Sequence, residues 1–273
     1  MAHATLPDAS LAPAAARTAP PDLRPLGVGQ ALLYFGIPSA IFSASILGLL
    51  PWMIRQGASL FVTFNVTFGG PLALMLIAAI IAYRLEGRPW SMSAFRERMR
   101  LGRFDWRLGV WGLAVGAFSL LVGPLLAVIL RPLENVRLYT APQEFTTLMT
   151  SIVGGGKDFL GVPTAGTWWL LVWGVASLII LNIFGEELWW RGYILPRQEL
   201  ANGNWAWVVN GVLWAAFHIF YHTTLFSFVS YIPGCCALAY VAQRTRSTWP
   251  GVIGHTIGNI MFLVVMARGI TGM

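Results

Sequence analysis

The sequence predicts an all-α protein, a polytopic membrane helix bundle with about seven to eight transmembrane helices. Three observations predict it. Hydrophobic residues make up 56% of the chain and charged residues only 11%, with a mean hydropathy of +0.66; a soluble domain carries about 25% charged residues. Long apolar runs alternate with short polar joints, several of them near the ~20 residues that a spanning helix needs. The basic residues fall unevenly on alternate joints, as they do in proteins oriented by positive charge on the cytoplasmic side. A water-soluble enzyme, a coiled coil and a disordered chain are excluded. The 273 residues divide into a tail, 1–25, and a single transmembrane domain, 26–273.

Residues 1–25 are rich in Ala and Pro, hold His3 and lack a hydrophobic stretch of signal-peptide length, so they are expected to form a disordered cytoplasmic tail. Seven apolar segments follow, at 28–53, 59–83, 107–130, 167–185, 205–221, 225–242 and 249–268. Trp52, Trp106, Trp168, Trp205 and Trp249 stand near segment ends, where amphipathic rings favour the headgroup level. With the amino terminus inside, the cytoplasmic joints collect 13 of the 18 basic residues and the outer joints 5, among them Arg55, Arg131 and Lys157. The net charge of +7 is therefore a topology signal, and nucleic acid is not an expected partner. The partner that composition dictates is the lipid bilayer. Arg outnumbers Lys 17 to 1, in keeping with a GC-rich genome, a bacterial host and hence its cytoplasmic membrane.

The joint at 84–107 carries seven arginines interleaved with Trp90, Phe95, Met99 and Phe104. It has two readings, an interfacial helix along the inner leaflet or a solvated positive loop. The outer segment 131–165, with Gly154-Gly155-Gly156-Lys157, is expected to be a mobile loop, and its glycines lack the spacing of a phosphate loop. Gly112/Gly116 and Gly254/Gly258 are GxxxG pairs suited to helix packing. Cys235 and Cys236 are adjacent, cannot bridge without strain and are expected to pack as small residues.

In a membrane chain the informative residues are ionisable groups within apolar segments, because burying them is expensive. Three clusters qualify. In the first, Glu187 and Arg191 are i,i+4 neighbours with the acid first, the favourable order, while Glu186 points about 100° away and is left free to take up a proton. The same pattern also describes a helix end with one ion pair and a snorkelling Glu. In the second, His218 and His222 are one helical turn apart; they suit a zinc ion given a third ligand, but the HExxH pattern is absent because Ile219 follows His218. In the third, His255 and Asn259 project from one helix face, either as two donors for a developing oxyanion or as a polar pair bridging helices. A base, an imidazole and a two-donor face are the parts needed to add water across an amide. No Ser or Cys stands at an obvious spacing from a His.

These residues resemble the motifs of the CPBP family, the CAAX proteases and bacteriocin-processing enzymes also called the Abi family. Its EExxxR motif is matched by Glu186-Glu187-Leu188-Trp189-Trp190-Arg191, and its HxxxN motif by His255-Thr256-Ile257-Gly258-Asn259. Its FxxxH motif is matched by Trp214-Ala215-Ala216-Phe217-His218, with Trp in place of Phe. The similarity spans a core at 165–270. It implies an intramembrane glutamic endopeptidase needing no metal or other cofactor, in which Glu186 and His218 activate a water, His255 and Asn259 hold the oxyanion, and Glu187 and Arg191 order the site. The implied substrate is a peptide or a lipid-modified, CAAX-like protein tail. A metal-dependent version, a non-catalytic immunity or scaffold protein of the same fold and a proton-coupled transporter are the competing readings.

A simple ladder of helices conflicts with the resemblance at one point. At 1.5 Å per residue His218 would stand about 20 Å along its helix from the inner surface, and His255 about 9 Å along its own. A steep tilt, a later helix start or a re-entrant hairpin is needed to bring them level.

Overall fold

A computed structural model describes residues 23–153 and 157–272. The expected disordered tail, up to residue 22, and the Gly154-Gly155-Gly156 run lie outside the described residues. The chain is a helical bundle. Six helices among the described residues are long and apolar enough to cross a membrane: α1 (Val28–Arg55), α2 (Leu60–Leu85), α4 (Trp106–Asn135), α6 (Trp168–Phe220), α7 (Leu225–Thr245) and α8 (Trp249–Thr271). Two short helices lie between them, α3 (Met92–Arg98) and α5 (Gln143–Val153). The expected segments at 167–185 and 205–221 are two arms of the single run α6, which turns back at Gly203, where φ is 54° and ψ −129°. That backbone geometry suits a residue without a Cβ.

Local sequence fixes the ends. Ser59 caps α2 by accepting from the Val62 amide, and Thr224 and Ser227 form a reciprocal capping box at the start of α7. Pro250 occupies the first turn of α8, where its missing N–H costs nothing. Inside α1 and α2 the prolines act differently. Pro71 cannot donate to the carbonyl of Thr67, four residues back, and α2 widens into a π-helical turn at Asn65–Gly69. The Thr67 carbonyl accepts instead from Ser45 Oγ at 2.9 Å, within the π-helical turn Ser45–Leu49 of α1. The same defect in two helices thus becomes a bond between them.

The outer faces are apolar and exposed, as a lipid-facing surface requires, and Trp52, Trp106, Trp168 and Trp205 are exposed near helix ends. Inside, α4 packs on α7 and α8, while the second arm of α6 lies between α1 and α7. Gly112 and Gly116 let α4 approach α8 closely: a Cβ at either position would stand 2.6 to 2.8 Å from Ile253 or Ile257. Of the other glycine pair, Gly254 meets Val115 in the same contact, and Gly258 faces open space. Cys235 is buried and neither cysteine is bridged.

Both long joints hold ordered structure, the first as one of its two readings expected and the second against expectation. In the 84–107 joint, Trp90 and Phe104 are exposed, whereas Arg98 turns inward on α3. Its guanidinium bonds Glu86 at 2.6 and 2.7 Å and the backbone carbonyls of Gly192 and Tyr193 at 2.8 and 3.3 Å. The outer segment 131–165 is not a featureless loop. It holds α5 and a two-residue hairpin, Asp158–Phe159 with Val162–Pro163. The cause is apolar anchoring: Phe145 and Leu148 of α5 and Phe159 and Leu160 of the hairpin are buried, and Phe159 meets Trp173 and Phe262 edge to face.

Substituting Gly112→Val should drive a branched side chain into Ile253 and cost about 1–3 kcal/mol of stability. The thermal midpoint of the detergent-solubilised protein measures this, with Gly258→Ala as the control at an open position.

Candidate active site

Asn182, Glu186, Glu187, Trp190 and Arg191 come from the first arm of α6, where π-helical turns at Ala176–Phe184 and Leu188–Ile194 flank Gly185–Glu187. Such turns concentrate at functional sites because they re-aim side chains at little cost in backbone bonding. Trp214 and His218 come from the second arm, and His255 and Asn259 from α8.

The hairpin at Gly203 resolves the mismatch in level. Glu186 stands 17 residues before Gly203 and His218 stands 15 after it, so two arms folded back on one another bring them opposite. His218 Nε2 lies 3.8 Å from Glu186 Oε2. On the α8 side, Thr248 Oγ1 donates to the Met99 carbonyl, the atom against which Gly192 also packs. Gly192 is five residues past Glu187 and Thr248 seven before His255, so both climb about 8–10 Å from a common level and meet.

The two carboxylates are both buried and are satisfied differently. Glu187 Oε1 accepts from Arg191 Nη1 at 3.0 Å and from His255 Nδ1 at 3.1 Å. This is the expected i,i+4 pair, with an imidazole added. Its Oε2 has no hydrogen-bond partner and faces Gly251, where a Cβ would overlap it. Glu186, expected to be free, is not. Its Oε2 accepts from the indole N–H of Trp214 at 2.7 Å and of Trp190 at 3.3 Å, and its Oε1 from Asn182 Nδ2 at 3.1 Å. Asn182 and Trp190 each lie four residues from Glu186, a spacing legible in the sequence; Gly251 carries no such signal.

The histidines have defined roles in this network. His218 Nδ1 is 2.9 Å from the Trp214 carbonyl, which can only accept, so Nδ1 holds a proton and the neutral ring has its lone pair at Nε2, towards Glu186. His255 Nδ1 likewise donates to the Glu187 carboxylate, leaving Nε2 as its second nitrogen. Asn259 Nδ2 spends one N–H on the His255 carbonyl at 3.0 Å, and one N–H remains. His222 does not form a helical pair with His218. The α-helical part of the arm ends at Phe217, His218–Phe220 is a 3-10 turn, and Tyr231 contacts both imidazoles. Among the described residues no three His, Cys, Asp or Glu are grouped to hold a metal ion.

Glu186, His218, His255 and Asn259 line one cavity of about 610 Å³ that reaches His222 and Met149 and is walled mainly by apolar side chains such as Phe42, Phe68 and Leu181. Its size and its few convergent polar groups are those of a binding site for a sizeable, largely apolar ligand.

Fold and site define a membrane-embedded helical protein with a buried acid–imidazole centre. Residues 167–261, about a third of the chain, match the family of type II CAAX prenyl endopeptidase Rce1-like proteins, in agreement with the CPBP resemblance of the motifs. The matched stretch contains Glu186, Glu187, Arg191, His218, His255 and Asn259. It supports a membrane protease of the CAAX type in general. No curated protein and no solved structure matched the chain.

Two outcomes test this geometry. Gly251→Ala should displace the Glu187 carboxylate and lower stability by about 1–3 kcal/mol, read from the thermal midpoint. His222 lies between the spanning segments, and burial, with a lesser contribution from His218, pushes its imidazole down to about 4. The unfolded chain therefore takes up a proton near pH 6.5 that the folded chain refuses until about 4. Stability should fall by on the order of 3 kcal/mol as pH drops through that window, and His222→Phe should flatten the fall in pH-dependent melting curves.

Proposed function

We propose that the chain is an intramembrane endopeptidase that hydrolyses a peptide bond in a membrane-anchored, CAAX-like protein tail, using a water activated by Glu186 and His218. The observation that carries this reading is the 3.8 Å approach of His218 Nε2 to Glu186 Oε2 at the wall of an apolar cavity. That distance is too long for a direct hydrogen bond, while a water touching both groups has both O–H bonds directed at acceptors. Its oxygen lone pair attacks the scissile carbonyl carbon as a proton passes to the acid–imidazole pair. The carbonyl oxygen then carries negative charge. The remaining N–H of Asn259 and, when the ring carries a proton on each nitrogen, Nε2–H of His255 are its donors. Collapse breaks the C–N bond, and the proton held by the pair passes to the leaving nitrogen.

Glu187 and Arg191 act by orienting. Their buried ion pair fixes the His255 ring through Nδ1, and a buried charged pair loosened by mutation is costly. In this scheme the protein uses no metal. The basic bias, 13 residues against 5, supports an amino terminus on the cytoplasmic side of a bacterial inner membrane.

The test uses the full chain in liposomes with a farnesylated, internally quenched CAAX peptide. The wild-type protein should release the terminal tripeptide, and Glu186→Gln should slow it at least ~100-fold with an unchanged thermal midpoint. A chelator should leave the rate alone. Unimpaired cleavage by the Glu186→Gln protein, or loss on chelation that zinc restores, overturns the mechanism.

A further inference from the structure

Trp214 departs from the FxxxH pattern, and its indole lies at the centre of the site. It is almost wholly buried at 1% exposure, so every polar bond it makes counts in a dry interior. Of the three N–H groups on Glu186, the Trp214 indole is the nearest, at 2.7 Å against 3.1 and 3.3 Å. Its ring face carries the Arg191 guanidinium, with Cζ 3.7 Å from the ring centroid. Nε and Nη2 of Arg191 have no hydrogen-bond partner, so the ring face is the contact that those parts of the cation retain. Both imidazoles meet the ring, His218 at 5.3 Å and His255 at 5.2 Å between centroids. The backbone of the same residue accepts from His218 Nδ1.

We infer that Trp214 is a positioning residue that fixes Glu186 opposite His218 through its indole N–H, a bond that the phenylalanine of the family pattern cannot make. The inference rests on the proposed reading of Glu186 and His218 as the water-activating pair. One residue then sets both members: its carbonyl selects the His218 tautomer, and its side chain holds the acceptor oxygen of Glu186. Only the second function depends on the side chain, so substitution separates the two. A packing role alone would require shape and no donor.

Trp214→Phe keeps an aromatic ring and removes the N–H. With the farnesylated peptide, kcat should fall about tenfold or more while KM stays within about twofold, and the acid limb of the kcat/KM profile should move up by about one pH unit. Replacing Trp214 by 3-benzothienylalanine, which has the indole shape without the N–H, should give the same result and covers the case in which Trp214→Phe folds poorly. A readout independent of turnover is the infrared carbonyl band of Glu186, isolated as the difference between the wild-type and Glu186→Gln proteins; its pH midpoint should rise in both variants. An unchanged kcat and midpoint in the benzothienyl variant overturns the inference. Wild-type rates in Glu186→Gln would overturn the underlying reading instead, so the two failures are distinct.

Discussion

Two adjacent carboxylates lie in the interior of an apolar bundle, and the architecture around them is the set of donors they require. An unpaired charge in such surroundings is severely disfavoured, so each acid must find partners within reach of its own helix or of a neighbour. Glu187 takes a guanidinium one turn along its helix and an imidazole from α8. Glu186 takes a carboxamide one turn before it, an indole one turn after it and a second indole from the returning arm of α6. Three separate stretches of chain are thereby drawn to one point. The arrangement also separates the two acids chemically: one is committed to a cation, while the other is held by neutral donors.

Backbone irregularity makes this convergence possible. The bundle concentrates π-helical turns in α1, α2 and α6, the helices that contribute Phe42, Asn65 and Glu186 to the cavity wall. A carbonyl released by Pro71 is reused to join α1 to α2. A straight α6 of 53 residues would be about 80 Å long, far beyond a bilayer's ~30 Å hydrocarbon core; folding at Gly203 turns that surplus into a hairpin whose arms present an acid and a base to each other.

Much of this was legible in the chain. Composition and run length gave the bundle, and the spacing of Glu187 and Arg191 predicted their pair. The motifs located the remaining side chains, but their order along the sequence says nothing of depth. Taken as an independent span, the 205–221 segment puts His218 too deep; the Gly203 turn shows that its height is counted from Glu186. The freedom ascribed to Glu186 came from considering cations alone, although Asn182 and Trp190 stand four residues to either side. Asn259 allows two readings from sequence, an oxyanion donor or a bridge between helices, and the structure adds a third contact: its carboxamide reaches the carbonyl one turn back. Helix α5 was missed for a different reason: Phe145, Leu148, Met149 and Ile152 follow helical spacing, but the run is too short to span and lay inside a segment judged by its glycines.

Arg98 gives the surface of the molecule a mechanical hold on its interior. The residue belongs to the polar joint between α2 and α4, yet its guanidinium grips two backbone carbonyls on the turn of α6 immediately beyond Arg191. That joint is also where Trp90 and Phe104 face outward among arginines, the composition of a segment moored in lipid headgroups. Together with the Met99 carbonyl, which holds Thr248, and the Arg100–Glu199 ion pair, Arg98 ties the polar joint to the inner ends of α6 and α8.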